Sequence, residues 1–473
     1  MKLFVYIQNT PPPVKASIAF LVMSIIEKGL VFITSPIYTR LLTQNEFGQV
    51  AVFLSWLSLI GVVAMFCLSA GVFNNGMLDH EHDRDGFSFS MLILSNIVTA
   101  LCFVIILVVW PYAKLILDID LPLLYLMFFV FFTQPAFNFW MTRQRFEYKY
   151  KLLSTVVLSY AFLSPLTAIV CIYLFPFHKV YGRLFGGESI LLCVYFAFYL
   201  YTGAKAKWKI NTSYWKAAVL FNLPLIPHYL SGYVLNNSNR IIIANLVDNA
   251  AAAKYSVAYT IALAVTMVWS AVNGSLIPYT YEKCRSSDFK SIANITGPIL
   301  ILYAAMCGVL ILLAPEMLRI MAPASYYESV YIIPPLVGGV FFTSMYFVFA
   351  NVVYYYKKPK YVMFASVTAA ALNIALNWFL IPKFGYFAAG YTTLFCYLAQ
   401  AVFDYYAMKK VVGKSIYNMR LLMGLGAAMI CISMVSSLLY RSDALRYGLI
   451  IFVSILAIIF RGKVLEVIKQ VKK

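Results

Sequence analysis

Long apolar stretches of about 20 residues alternate along this chain with short polar breaks. Fourteen can be read, near residues 16–38, 47–72, 88–111, 121–141, 152–175, 187–204 and 215–238, then 252–277, 293–314, 331–355, 361–381, 388–408, 418–438 and 445–461. Each is about as long as a helix crossing a hydrocarbon core of about 30 Å. None shows the alternation over about ten residues that marks a barrel strand. Backbone groups in hydrocarbon must satisfy one another, which leaves helices. The pattern therefore predicts an all-α integral membrane protein of about 14 transmembrane helices.

Composition agrees. The 473 residues are 62% hydrophobic and 12% charged, against about 45–50% and about 25% in soluble domains. Lys and Arg outnumber Asp and Glu by 37 to 18. In a soluble chain that balance suggests nucleic acid; here it is read as topology. On the fourteen-span map, 26 basic residues fall on the loops that share a side with the N-terminus, and ten on the other side. A missed helix would reverse the pattern downstream. Both termini are thus expected in the cytoplasm, with no nucleic-acid partner and no cleavable signal peptide. The eight cysteines are scattered without ligand spacing, so no metal site or disulfide framework is expected.

The chain also echoes itself. Leu41-Leu42-Thr43-Gln44-Asn45-Glu46 follows the first span, and Leu246-Val247-Asp248-Asn249-Ala250-Ala251 follows the seventh, about 205 residues on. Six spans per period make parallel repeats, the arrangement in which transporters bind cargo between two halves. The expected organisation is two pseudo-symmetric six-helix lobes, 1–204 and 205–408, followed by two extra helices and a basic tail over 409–473. Loops are short, so no extramembrane domain could house an enzyme, and no nucleotide-binding or hydrolase motif occurs. No cofactor is expected.

Candidate chemistry lies where polarity interrupts the spans. Glu27 and Lys28 sit mid-way along the first span, where a charge costs at least about 2.5–3.5 kcal/mol and needs a partner or a wet cavity. Lys28 either lines a central cavity and meets an anionic substrate, or pairs with Glu27 or Asp404. Asp404, just before Lys409 and Lys410, reads as an interfacial carboxylate paired with those lysines. Glu27 and Asp404 are the carboxylates that qualify as unpaired cation binders within the membrane, and Glu27 has Lys28 beside it. Arg40 ends the first span and either guides a phosphate or anchors the helix to headgroups. The seventh span is polar and carries Pro224 and Pro227, which remove helix donors and predict a kink. Its His228, Asn236, Asn237 and Arg240, with Asn273 of the eighth span, are expected to face the cavity. The run from Asp79 to Asp85 has metal-ligand residue types but reads as a solvated loop.

Ser35-Pro36-Ile37-Tyr38-Thr39-Arg40-Leu41-Leu42-Thr43-Gln44-Asn45-Glu46-Phe47-Gly48 resembles the signature after the first helix of bacterial polysaccharide flippases. The stretch from Pro224 to Tyr259 is similar to their mid-chain signature, and Pro278-Tyr279 with Tyr281-Glu282-Lys283 to its end. That family commonly has Asp before the arginine, where this chain has Asn239. The resemblance implies a Wzx-type O-antigen flippase of the MOP exporter superfamily, with a MATE-like fold. Twelve spans are commonest there, and fourteen occur in lipid II flippases. Implied too is the work: moving undecaprenyl-pyrophosphate-linked oligosaccharide across the bacterial inner membrane by alternating access. Membrane lipids, a polysaccharide polymerase and a chain-length regulator would be its partners. The last two spans would be a groove for the prenyl tail.

Two other readings stand beside it. A cation-coupled drug antiporter of the same fold would need unpaired carboxylates within the membrane. A membrane polysaccharide polymerase or ligase would need a large outer loop, and the outer loops here are short.

Overall fold

The computed structural model of this protein describes residues 12–459. Residues 1–11 and the basic stretch 460–473, which the charge pattern assigns to the cytoplasm, lie outside them. Each apolar run is helical. The α-helices are α1 (Pro12–Leu41), α2 (Gln44–Ala64), α3 (Val72–Asp79), α4 (Arg84–Val108), α5 (Trp110–Leu117), α6 (Leu121–Phe146), α7 (Tyr150–Leu174), α8 (Lys179–Lys205) and α9 (Ser213–Asn222). Then come α10 (Ile226–Leu246), α11 (Asn249–Arg285), α12 (Phe289–Leu312), α13 (Ala314–Met321), α14 (Ile333–Tyr355), α15 (Pro359–Phe384), α16 (Phe387–Val412), α17 (Met419–Leu439) and α18 (Asp443–Ile459).

Twelve helical stretches of the described residues are long and apolar enough to cross a membrane. The two expected spans outside that set are α16, which is too polar, and α18, whose described part has 17 residues. The polarity of α16 is hidden inside the protein: Thr392, Thr393, Gln400 and Asp404 are all buried. A helix whose polar stripe meets other protein can still present apolar residues to lipid.

The helices gather into two compact units, residues 1–237 and 238–473. In the first, α7 and α8 pack closely, with α8 also on α6 and α1 on α7. Gly182 and Gly186 make the α7–α8 approach possible: a Cβ on Gly182 would lie 2.8 Å from the Cys171 carbonyl oxygen, and one on Gly186 2.9 Å from that of Thr167. Small residues four apart let backbones meet in this way. In the second unit α14 is central, apolar on all sides and packed on α11, α12, α16 and α17.

The internal echo has a physical basis. Thr43 caps α2 in a capping box: its hydroxyl accepts from the Glu46 N–H, and Glu46 Oε2 accepts from the Thr43 N–H at 2.8 Å. Asp248 caps α11, its Oδ1 accepting from the Ala251 N–H at 2.6 Å. Thr43 and Asp248 hold matching places in the two echoed stretches, each at a helix start. Unforeseen were two short helices at matching places, α5 and α13, each eight residues long with a proline near its start.

One expected helix is shorter than read. The second run continues to 72 in sequence, but α2 stops at Ala64, and Phe66 and Cys67 take positive φ. Side chains satisfy the freed carbonyls: Thr99 Oγ1 donates to Ala64 at 2.9 Å, Ser95 Oγ to Met65 at 3.1 Å, and Asn222 Nδ2 to Phe66. Irregular backbone survives at membrane depth only with such partners.

Candidate functional site

In the first unit, the irregular segment after α2 forms one wall of a cavity of about 270 Å3. Ser58, Cys67, Ser69, Gln134, Asn138 and Tyr233 give it a polar lining. At about 30 Å3 each, that is room for about nine waters. None of the residues singled out from the sequence lines it. Gln134 and Asn138, flanking Pro135 within an aromatic run, were the available signal.

The α1 candidates lie apart from that lining. Glu27 Oε1 accepts from the Tyr160 hydroxyl of α7 at 3.1 Å. Lys28 is exposed and forms no ion pair among the described residues, so a Glu27–Lys28 pair is not what holds it. Arg40 is exposed at the end of α1 and donates through Nη1 to the Pro36 carbonyl at 2.8 Å. The conspicuous motif around it is therefore partly a turn: Arg40 ties off one helix and Thr43 begins the next.

A carboxylate escaped the sequence reading. Glu188 sits well inside α8, 9% exposed, because that helix begins at Lys179 and not near 187. Arg183 and Tyr195 act on it electrostatically. Tyr195 lies near Gln134, Glu27 and Tyr160, so polar groups of α1, α6, α7 and α8 gather here.

The prolines of the seventh span break it as expected. A 3-10 turn over Leu223–Leu225 separates α9 from α10. His228 is half-buried, and its Nδ1 has no hydrogen-bond partner. Asn236 Nδ2 donates to the Gly232 carbonyl at 2.7 Å and Asn237 Nδ2 to that of Tyr233 at 3.1 Å.

The second unit holds a closed amide cluster. Asn239 Nδ2 donates to the Tyr255 hydroxyl at 2.6 Å and to Thr393 Oγ1 at 2.8 Å, and its Oδ1 accepts from Asn377 Nδ2 at 2.6 Å. Thr392 donates to Asn377 Oδ1, and Ser238 to Asn373 Oδ1 at 3.4 Å. Arg240 Nε donates to Ser256 Oγ at 3.1 Å, with its guanidinium 5.0 Å from the Tyr259 ring centre. Asn273 Oδ1 accepts from Asn351 Nδ2 at 2.8 Å. Sequence reasoning found Arg240 and Asn273 but missed Asn373, Asn377 and the two threonines, which sit inside runs counted as apolar. The four-residue spacing of Asn373 and Asn377 was their signal.

Asp404 corrects an expectation. It is fully buried, and neither oxygen has a hydrogen-bond partner. It forms no pair with Lys409 or Lys410, both exposed. These lie five and six residues on, about 140° and 240° around the helix at about 100° per residue, which turns them away. The run from Asp79 to Asp85 is not a loop but a tight helix-to-helix corner: Asp79 ends α3, Glu81–Asp83 form a 3-10 turn, Asp83 caps α4, Arg84 pairs with Glu81, and Asp85 with Arg143. No group of three metal-ligating side chains occurs among the described residues.

With this geometry in hand, three comparisons bear on the chain. The profile of the polysaccharide biosynthesis protein family matches residues 14–283. A protein of the Lsg locus of Haemophilus influenzae is 24% identical over 201 residues, 40% of this chain and 48% of that one. The match thus spans about half the length of that relative. Among solved structures, the lipid II flippase MurJ in an inward closed conformation superposes with TM-score 0.70 at 12% identity, covering 95% of this chain and all of the other. An inward-facing multidrug resistance MATE family transporter of the MOP superfamily gives 0.67 at 12% identity, covering 84% and 98%. These similarities show the fold.

Proposed function

The chain belongs to the polysaccharide biosynthesis protein family, and from that premise we propose that it is a flippase for lipid-linked oligosaccharide. Its cargo is an undecaprenyl-pyrophosphate-linked repeat unit of O-antigen or another surface polysaccharide. It carries that unit across the bacterial inner membrane by alternating access, with both termini cytoplasmic. A charged, hydrated sugar pyrophosphate cannot enter hydrocarbon unaided. A multi-pass protein can hold its head among polar side chains while the prenyl tail stays in lipid.

The observation that carries this reading is Lys28, a cation half-way along α1 that is exposed and makes no ion pair among the described residues. An isolated ammonium at that depth is costly unless it serves an anion. Lys28 is assigned to the pyrophosphate, with Glu27 beside it held by Tyr160. Arg40, His228, Asn236, Asn237, Arg240 and Asn273 complete the proposed cargo-facing set. Residues 1–204 and 205–408 are proposed as the two repeat lobes, supported by the matched caps at Thr43 and Asp248. The helices after 409 are appended to them.

The experiment is complementation of a flippase-deficient strain, with insertion checked by membrane fractionation. Lys28→Ala is expected to insert and abolish surface polysaccharide, and Lys28→Arg to retain part of it. Full complementation by Lys28→Ala removes Lys28 from the mechanism. A cation-coupled drug antiporter is the second reading, favoured by the MATE-like fold and the buried carboxylates Glu188 and Asp404. Drug resistance conferred without any effect on polysaccharide would select it.

A further inference from the structure

Along α16, Thr392, Cys396, Gln400 and Asp404 recur every fourth residue and so share one face. All four are buried. Its neutral polar members are partnered. Thr392 donates to Asn377, and Gln400 Nε2 donates to Ser366 Oγ at 3.3 Å, while Cys396 lies near Asn373. Asp404 alone has nothing on either oxygen.

Among the described residues its surroundings offer no cation. From α14, Tyr346 is the titratable group that feels Asp404, and it shares a hydrogen bond with Tyr354. From α15, the neighbouring polar group is Ser366; Lys360 and Tyr361 lie at that helix's exposed start, with Lys410 over the Tyr361 ring at 5.4 Å. On the 3-10 turn Ala324–Ile332, Glu328 is paired with Lys254. On α16 itself, Tyr405 is turned to Ser415, and Tyr406, Lys409 and Lys410 are exposed. Among the described residues Asp404 forms no ion pair. A carboxylate sealed from water with no donor and no counter-ion takes up a proton instead of staying ionised.

We propose that Asp404 is a proton-binding site of the second unit, a carboxylic acid in this packing that gives its proton to water only when α16 parts from α14. The O–H bond of the carboxyl breaks, a water takes the proton, and the carboxylate becomes hydrated. Reclosure reverses the exchange. One proton is bound and released per opening, which goes beyond the flippase reading and holds whatever the cargo is.

Asp404 is the only buried aspartate among the described residues, which makes the test specific. The full chain, carrying carboxyl-13C aspartate, is reconstituted in liposomes at neutral pH and its infrared spectrum recorded. The expected result is an isotope-shifted C=O stretch of a protonated acid, worth one residue and lost in Asp404→Asn. A labelled wild type showing only carboxylate stretches overturns the proposal. Should Asp404→Asn fail to insert, the labelled wild-type spectrum alone still decides. A flipping assay on the same vesicles scores the flippase reading separately, since absent flipping leaves the acid band in place.

Discussion

Replacing Asn239 tests whether the amide cluster of the second unit is a stabilising lock. Asn239→Leu removes three hydrogen bonds, to Tyr255, Thr393 and Asn377. Two of the partners are not orphaned. Thr393 also donates to the Ala389 carbonyl at 2.6 Å, and Asn377 Nδ2 also reaches Asn373 Oδ1 at 3.1 Å. Interhelical hydrogen bonds in membrane proteins average about 0.6 kcal/mol and reach about 1.7. Three of them, with partners largely rescued, give an expected loss of about 2 kcal/mol. Asn239→Asp adds a charge yet should cost less. The Tyr255 hydroxyl, now an acceptor, can turn to donate, Asn377 Nδ2 already donates, and hydrogen bonds to an ionised acceptor are roughly twice as strong. Thermal unfolding of the purified chain in detergent should therefore rank wild type highest, Asn239→Asp next and Asn239→Leu lowest. If Asn239→Asp melts at or below Asn239→Leu, the donors do not reorient and the reasoning fails.

Other perturbations follow from the same structure. Gly182→Leu, forced against the Cys171 carbonyl, should separate α7 from α8 and cost at least about 1–3 kcal/mol; unchanged expression and melting would refute the close approach. Arg446, 1% exposed, clamps α18 to α13 through Glu316 at 2.5 Å and to Asp443 at 2.5 Å. Partial burial pushes the Glu316 carboxyl up, but hydrogen bonds from Arg446 and Tyr447 outweigh it and hold it below the usual range. With its folded value depressed, Glu316 contributes stability above the ordinary glutamate range and loses it as pH falls through the folded value. Melting of the wild type should drop on acidification from about pH 6 to about pH 3, where carboxylates with lowered values titrate. The drop should be smaller in Glu316→Gln, and equal drops would count against the clamp.

Much of this protein was legible in its sequence because hydrocarbon leaves the backbone few choices. Apolar length alone located the twelve stretches of the described residues that are long and apolar enough to cross a membrane, since a helix in lipid must satisfy its own hydrogen bonds. The echo between Thr43 and Asp248 was visible because a helix start needs a side-chain acceptor at a definite position. The break at Pro224 was visible because proline removes a donor and restricts its neighbour.

Tertiary structure decided the rest, because a residue's surroundings depend on which helix turns toward it. Sequence put Asp404 beside two lysines, whereas the turn of α16 buries the acid and leaves the lysines outside. Sequence counted Asn377 and Thr392 among apolar runs, while packing brings them onto Asn239. The end of α2 at Ala64 rests on donors supplied from α4 and α9, distant in the chain. Helix identity is local, set by length and composition; the partner of a polar group inside the protein is not, and it was the structure that assigned it.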